Sequence, residues 1–457
     1  VFTKILIANR GEIAVRVARA CREMGIASVA VHSAQDRDST VVRMADEAVQ
    51  IGPAAPARSY LNAAAVLQAA QQVGADAVHP GYGFLSESPD FAEACESAGV
   101  ALIGPPAPVM AALGDKASAR TMMTMAGLPL LPGSVEPLDA DEARELAESI
   151  GFPVIVKAAA GGGGRGMAVV RDAAAFPAEF AAVTAQAQML YADGRVYVER
   201  YLERARHVEV QVLCDGHGRA IHLGERDCTV QRRHQKLVEE TPAPALPDGL
   251  AELMGRAAVD GALAAGYVGA GTFEFLLGPD HRFYFMEVNC RIQVEHPVTE
   301  MATGVDLVQQ QIRIAAGHPL ALAQADVSPR GAAIECRINA EDPGADFAPT
   351  PGRIDELVLP GGPFVRVDTH ATSGYVVPPH YDSLVAKVVV WAPERTEAIA
   401  RMQRALHELR VDGPHIRTTR GFLSEVLAHP RFVAGEHSTA LVDEMLADRR
   451  DRQRQAS

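Results

Sequence analysis

The chain has 457 residues, with 43 Lys and Arg against 57 Asp and Glu, and its net charge of −14 argues against a general nucleic-acid or anionic-membrane partner. A hydrophobic content of 48% with 22% charged residues fits a soluble globular chain long enough for two to four compact units. One Trp and few other aromatics leave little with which to stack bases.

Cys21, Cys95, Cys214, Cys228, Cys290 and Cys336 are scattered without a C-x-x-C spacing, and read as buried free thiols in a reducing compartment. No apolar run reaches membrane-spanning length and no signal peptide precedes the first strand, so the expected location is the cytoplasm.

In chain order, residues 4–8 read as an apolar strand, Asn9-Arg10-Gly11-Glu12 as a turn, residues 13–24 as an amphipathic helix and residues 28–32 as the next strand. That βαβ opening predicts a parallel sheet. The turn lacks G-x-G-x-x-G, so this domain is not expected to hold a nucleotide. A second cycle follows, and His79-Pro-Gly-Tyr-Gly-Phe-Leu-Ser-Glu87 sets Tyr82 between glycines at the carboxyl end of a strand. Ligands of open α/β sheets bind at such ends, though a Gly-flanked Tyr is also simply a rigid turn. Lys116 precedes a helix of small residues and methionines, and a lone lysine there reads first as a solvated charge. Pro129, Pro132 and Pro137 mark a domain junction.

Residues 152–157 form a buried-looking strand ending in Lys157, followed by Gly161-Gly-Gly-Gly164 and a strand over 168–170. A hairpin of this kind has bare amides, Gly163 and Gly164 among them, that can close over phosphates. It is no P-loop, because a strand rather than a helix follows. Residues 196–202 lead into a hinge at Glu199-Arg200-Tyr201-Leu202, and residues 208–212 alternate as a further strand after His207. Arg226, Arg232, Arg233 and Lys236, with Gln231 and His234 among them, make one dense basic cluster in an acidic chain. A solvated face is one reading; a pocket for an anionic substrate suits the pattern better.

Two β-favouring runs, 272–277 and 283–288, flank Gly278-Pro279-Asp280-His281. A hairpin centred between Asp280 and His281 pairs Glu274 with Glu287. Facing carboxylates on apolar strands require positive charge between them, and a Mg²⁺ (or Mn²⁺) ion carrying nucleotide phosphates supplies it. Asn289 offers one more oxygen. If the strand continues, Arg291, Gln293 and Glu295 alternate onto one side as a cation, an amide and a base. Further on, Arg337 lies among apolar residues in a strand, which calls for an acidic partner or an anion.

The run Phe273-Glu274-Phe275, Met286-Glu287-Val288-Asn289, Arg291 and Gln293-Val294-Glu295-His296-Pro297-Val298-Thr299-Glu300 resembles the active-site core of the biotin carboxylases, members of the ATP-grasp superfamily. The resemblance extends from Ile5 to about residue 445 and implies an α/β fold: an N-terminal βαβ domain over 1–112, a linker over 113–129, a glycine-rich lid domain over 130–201, a mixed or antiparallel catalytic domain over 202–446, and a frayed tail over 447–457. It implies that Lys116 and Lys157 reach ATP phosphates, that Glu199 to Leu202 frame adenine and that Leu276 also binds ATP. His207, Gln231 and His234 would contact the nucleotide. Glu274, Glu287 and Asn289 would hold the metal, and bicarbonate would rest on Lys236, Arg291, Gln293 and Val294 with Glu295 as base. Tyr82 and Arg337 would face biotin. Arg19, Glu23 and Arg366 match dimer-interface positions, implying a homodimer. The chain lacks Met-Lys-Met, so biotin is expected on a carrier protein or domain, with a carboxyltransferase subunit in the same complex. Acetyl-CoA, another acyl-CoA or pyruvate are all open as acceptors. Two rivals remain: an amine-using ATP-grasp ligase, and a non-catalytic nucleotide-binding protein.

Overall fold

Residues 2–159 and 166–456 are described by the computed structural model. The N-terminal part is a five-stranded sheet in the order Glu47–Gly52, Ala27–Ser33, Lys4–Ile7, Ala77–His79, Ala101–Leu102, all neighbours parallel. Both faces are covered, as a parallel sheet with crossover helices requires. The helix Gly11–Glu23 packs Ile13, Val17 and Cys21 inward, and Ala63–Val73 starts where the Asn62 side chain accepts from the Ala65 amide. At the carboxyl end of Ala77–His79, Gly81 has φ +61° and a Cβ there would lie 2.9 Å from Asn9 Nδ2. That amide holds the turn by donating to the carbonyls of Pro80 and Tyr82, both at 2.7 Å.

The expected linker over 113–129 is largely helical: Ala107–Gly114 and Lys116–Met125 bridge to a small three-stranded antiparallel sheet. There Val154–Ala158 lies between Met167–Val170 and Val196–Arg200, with Lys157 opposite Met167 and Tyr197. The glycine-rich turn, including Gly163 and Gly164, lies outside the described residues.

The largest element is an eight-stranded antiparallel sheet in the order Phe283–Asn289, Gly269–Leu277, Arg206–Cys214, Ala220–Arg232, Gln235–Thr241, Ala332–Asn339, Leu384–Ala392, Val365–Thr369. Beneath its first strands Val208, Val210, Phe273 and Phe275 pack on Met254 and Ala258 of the helix Leu250–Ala264. The tail departs from expectation. Leu441–Ala456 is one helix, begun by Asp443 and Glu444 in its first turn and tied by Arg449 to Glu425 at 2.6 Å. Among the described residues no helix is long and apolar enough to cross a membrane, and all six cysteines are unpaired and buried.

Candidate active site

Glu274 is the centre of the site. Its strand neighbours put Glu209 on one side and Glu287 on the other, and Arg226 lies beyond Glu209, so four charged residues cross four strands in one row. The expected pairing of Glu274 with Glu287 is present, but the turn is centred on Asp280, with Leu277 opposite Phe283. A bulge at Met286 adds the one residue that brings Glu287 into line. Bulges re-aim side chains in this way beside active sites.

The strand ends at Asn289, so Arg291, Gln293 and Glu295 do not alternate along it as expected. An irregular segment instead folds back over Glu274. Glu274 Oε1 accepts from Lys236 Nζ at 2.9 Å, Asn289 Nδ2 at 2.9 Å and Gln293 Nε2 at 2.8 Å. Arg291 donates to Asn289 Oδ1 at 2.8 Å, Gln293 Oε1 at 2.9 Å and Glu87 Oε2 at 2.9 Å. Glu295 is wholly buried at the entrance to the helix His296–Thr303, held by Lys236 Nζ at 2.6 Å and Arg337 at 3.0 Å. Arg337 also grips Glu239 at 2.5 Å. The buried arginine does have its acidic partners.

Each charge in this cluster depends on its neighbours. Lys236 lies 2.6 Å from Glu209, 2.9 Å from Glu274 and 2.6 Å from Glu295; against the penalty of burial, those carboxylates keep its ammonium charged far beyond the ordinary lysine range. Burial opposes ionisation of Glu295, yet Lys236 and Arg337 hold its carboxyl well below the usual range. The same contest leaves Glu274 ionised, through Lys236 and His207, whose Nε2 lies 3.0 Å away. Glu287 behaves oppositely: its side chain still meets solvent, but the cleft walls crowded around it, and then the facing Glu274 carboxylate, push its carboxyl up. A divalent cation between the two would relieve that repulsion, so Glu274, Glu287 and the Asn289 amide fit Mg²⁺. His207, Glu209 and Glu274 also bring ligand-type atoms within 4.8 Å of one another, but Glu209 is already held between two cations, Arg226 and Lys236, both at 2.6 Å. The place for a metal is therefore on the Glu287 side.

Lys116 and Lys157 come together on the small sheet. Lys116 Nζ donates to the Ala158 carbonyl at 3.2 Å, while Lys157 and Arg120 both bond the buried Glu199 carboxylate. Burial, then the charge of Lys157, lowers the Lys116 ammonium. The amides of Arg200 and Tyr201 are taken by the Pro132 and Pro153 carbonyls. Leu276 pairs with His207 and is half-buried; Gln231 Nε2 lies 3.5 Å from His207 Nδ1. Arg233 and His234 form the two-residue turn of the hairpin between Arg232 and Gln235, at φ +47° and +65°. Two non-glycine residues in the left-handed region are strained, a cost usually found where a side chain must be aimed. Tyr82 donates its hydroxyl to Glu12 and lies within electrostatic reach of Arg337.

A family profile described as the biotin carboxylase N-terminal domain matches residues 1–110, and one described as the biotin carboxylase C-terminal domain matches residues 335–444. Between them, the ATP-binding domain of the carbamoyl-phosphate synthase L chain matches residues 115–323. The chain is 54% identical over 445 residues to a biotin carboxylase of Nostoc sp., covering 97% of this chain and 99% of that one. The chain belongs to the biotin carboxylase family. Members are ATP-dependent carboxylases with the ATP-grasp fold. Within the family, a pyruvate carboxylase subunit from Methanothermobacter thermautotrophicus is 51% identical over 444 residues, covering 97% and 90% of the two chains. The biotin carboxylase domain dimer of Hydrogenobacter thermophilus 2-oxoglutarate carboxylase, solved with MgADP, ADP and bicarbonate, superposes with a TM-score of 0.93 at 46% identity over 97% of each chain.

Several residues of this cluster escape a reading of the sequence. Glu209 is fully buried between Lys236 and Arg226, and Arg226 is itself saturated by Glu209, Gln211, Thr299 and Thr272 at 2.6–3.2 Å. The Glu-x-Gln alternation of its strand is the available signal. Arg120 sits one helical turn after Lys116, and Glu87 closes the Tyr82 motif; neither announces a partner that lies far along the chain.

Proposed function

We propose that this chain carboxylates N1′ of biotin carried on a partner protein or domain, using ATP and bicarbonate through carboxyphosphate, as the first half-reaction of an acetyl-CoA or other acyl-CoA carboxylase. The observation that carries this reading is Glu295, an ionised base shared between Lys236 and Arg337 and set beside the paired carboxylates Glu274 and Glu287. Bicarbonate takes the place beside Lys236, Arg291, Gln293 and the Val294 backbone, where cation and amide donors converge. Recruiting Lys236 to that anion loosens its hold on Glu295, which raises the basicity of the carboxylate when a proton must be taken. Glu295 accepts the bicarbonate proton, and the freed oxygen attacks the γ-phosphorus of ATP while ADP leaves. Carboxyphosphate then divides into CO₂ and phosphate. Biotin N1′ gives up its proton to the phosphate just released and bonds to CO₂, with Arg337 balancing the negative charge on the ureido oxygen and Tyr82 lining that side.

Lys116, Lys157 and His234 hold the ATP phosphates with the glycine turn that includes Gly163 and Gly164. Leu276, His207, Gln231 and the Glu199–Leu202 hinge frame the nucleoside; the amides of Arg200 and Tyr201 are bonded to the Pro132 and Pro153 carbonyls, which favours Leu202 as the adenine donor. Mg²⁺ held by Glu274, Glu287 and Asn289 neutralises phosphate charge during in-line transfer. Relatives include pyruvate and 2-oxoglutarate carboxylases, as expected if the acyl acceptor is chosen by a carboxyltransferase partner outside this half-reaction. A homodimer joins through the face of Arg19, Glu23 and Arg366, which line a cavity of about 340 Å³. The unpaired buried thiols suit the cytoplasm.

The test is ADP release in bicarbonate and Mg²⁺, with and without free biotin. Biotin should stimulate turnover, and Arg291→Ala should lower the stimulated rate by roughly 100-fold through loss of the anion site. Amine-dependent turnover that ignores biotin would convert the assignment to a different ATP-grasp ligase.

A further inference from the structure

Lys387 is wholly buried, in the middle of the strand Leu384–Ala392, and the proposed reaction does not use it. Burying an ammonium in a sheet costs several kcal/mol unless it is paired, and an apolar side chain would fill the same space with less penalty. Its Nζ donates to the Val294 carbonyl at 2.7 Å and lies 3.0 Å from Glu12 Oε1 and 3.9 Å from Asp368 Oδ2. Val294 immediately precedes Glu295. Because the peptide unit is planar and trans, a carbonyl turned toward Lys387 sends the Glu295 N–H the opposite way, away from the buried lysine.

The register sharpens this. Arg337 and Lys387 are directly opposite on adjacent strands. Arg337 holds the Glu295 carboxylate while Lys387 holds the carbonyl just before it, so two facing cations grip the residue at both ends. One residue earlier, the Gln293 carbonyl is 2.8 Å from His296 Nδ1. On the other side of Lys387, the same Glu12 oxygen that it approaches accepts the Tyr82 hydroxyl. One ammonium thus ties the segment carrying the base to the N-terminal loop carrying Tyr82.

We propose that Lys387 is a positioning residue for carboxylation: with Arg337 opposite, it fixes the Val294–Glu295 peptide that bicarbonate meets, and through Glu12 it holds Tyr82 in register with that peptide. This rests on the function proposed above. Lys387 touches no substrate; it acts through Glu295 and Glu12.

The experiment compares the parent, Lys387→Met, Lys387→Arg and the double variant Glu12→Gln/Lys387→Met, which removes both charges so that neither is left buried alone. KM for bicarbonate, KM for ATP, biotin-stimulated kcat and the thermal midpoint are measured on each. In Lys387→Met and in the double variant, kcat over KM for bicarbonate should fall about 10- to 100-fold, the loss expected when a reacting group is misplaced by a fraction of an ångström to an ångström. KM for ATP should stay within about twofold, and Lys387→Arg should recover part of the loss. If Lys387→Met does not fold, the double variant decides. A folded double variant whose bicarbonate parameters match the parent overturns the proposal, and so does a loss shared equally by ATP and bicarbonate. A parent without biotin-dependent turnover would overturn the proposed function as well; a parent that turns over beside an indistinguishable variant removes only the role of Lys387.

Discussion

In the N-terminal sheet, Ile5 and Ile7 enter one apolar cluster and Leu6 the other, so the strand Lys4–Ile7 is packed on both faces and has no side free for charge. In the eight-stranded sheet, Val208, Val210, Phe273 and Phe275 fill one face, while Glu209, Arg226, Lys236, Glu274, Glu239, Arg337 and Lys387 bring charge into the remainder, most of it fully buried. The difference follows from connection geometry. Crossover helices cover both faces of a parallel sheet and confine chemistry to strand ends, where Glu12 and Tyr82 sit. Antiparallel strands need no such cover, so a whole face can become a floor of paired charges. That floor is stable only while each charge keeps its partner.

The contrast is tested first, and with the largest effect, by Glu295→Gln. It keeps the shape of the floor but removes the proposed base, and biotin-stimulated kcat should fall by roughly 10²- to 10⁴-fold; Lys236 keeps Glu209 and Glu274 and Arg337 keeps Glu239, so the protein should still fold, with a lowered thermal midpoint. A rate close to that of the parent would show that the floor is structural like the parallel sheet. Next comes Leu6→Ala, wholly buried between two strands. It should cost about 2–5 kcal/mol in denaturant unfolding and leave KM for bicarbonate unchanged, because the parallel sheet supplies packing and not contacts to substrate. The smallest effect concerns Glu335, which faces Glu239 across the strands; both its oxygens are buried without a hydrogen-bond partner. Burial first, and Glu239 after it, push this carboxyl well above its ordinary value despite Lys387. A raised carboxyl binds more protons folded than unfolded, so its contribution is complete below the ordinary Glu range and is lost as pH rises toward its folded value. Glu335→Gln, neutral at every pH, should make the decline in thermal midpoint above about pH 5 shallower than in the parent. An unchanged slope would show that Glu335 is not the group responsible.

Much of this site is legible along the chain because its members cluster in sequence. Glu274, Glu287, Asn289, Arg291, Gln293 and Glu295 lie within one short run, and two-residue alternation predicts that the first pair meets. The structural reason differs in detail: the bulge at Met286 restores a pairing that the true turn centre would have missed. After Asn289 alternation stops being a guide, because the strand itself ends there. The bonds of Asn289 and Gln293 to Glu274 and the hold of Lys236 and Arg337 on Glu295 bend the segment back instead. The polarity of the tail suggests fraying, yet the helix is anchored by its first turns, where Leu441, Val442, Met445 and Leu446 join the core, and by the bond of Arg449 to Glu425.

Local pattern was enough for the parallel opening, the pairing of the two strands that flank the glycine run, and the carboxylate pair. Each depends on residues near one another or on a motif that carries its own spacing. Tertiary structure alone decided that Glu209 sits under Lys236, that Glu87 steadies Arg291, that Arg120 shares Glu199 with Lys157, and that Lys387 meets both Val294 and Glu12. Those contacts depend on the order in which distant strands are laid side by side, and a charged residue in an alternating strand carries no mark of which neighbour it will face.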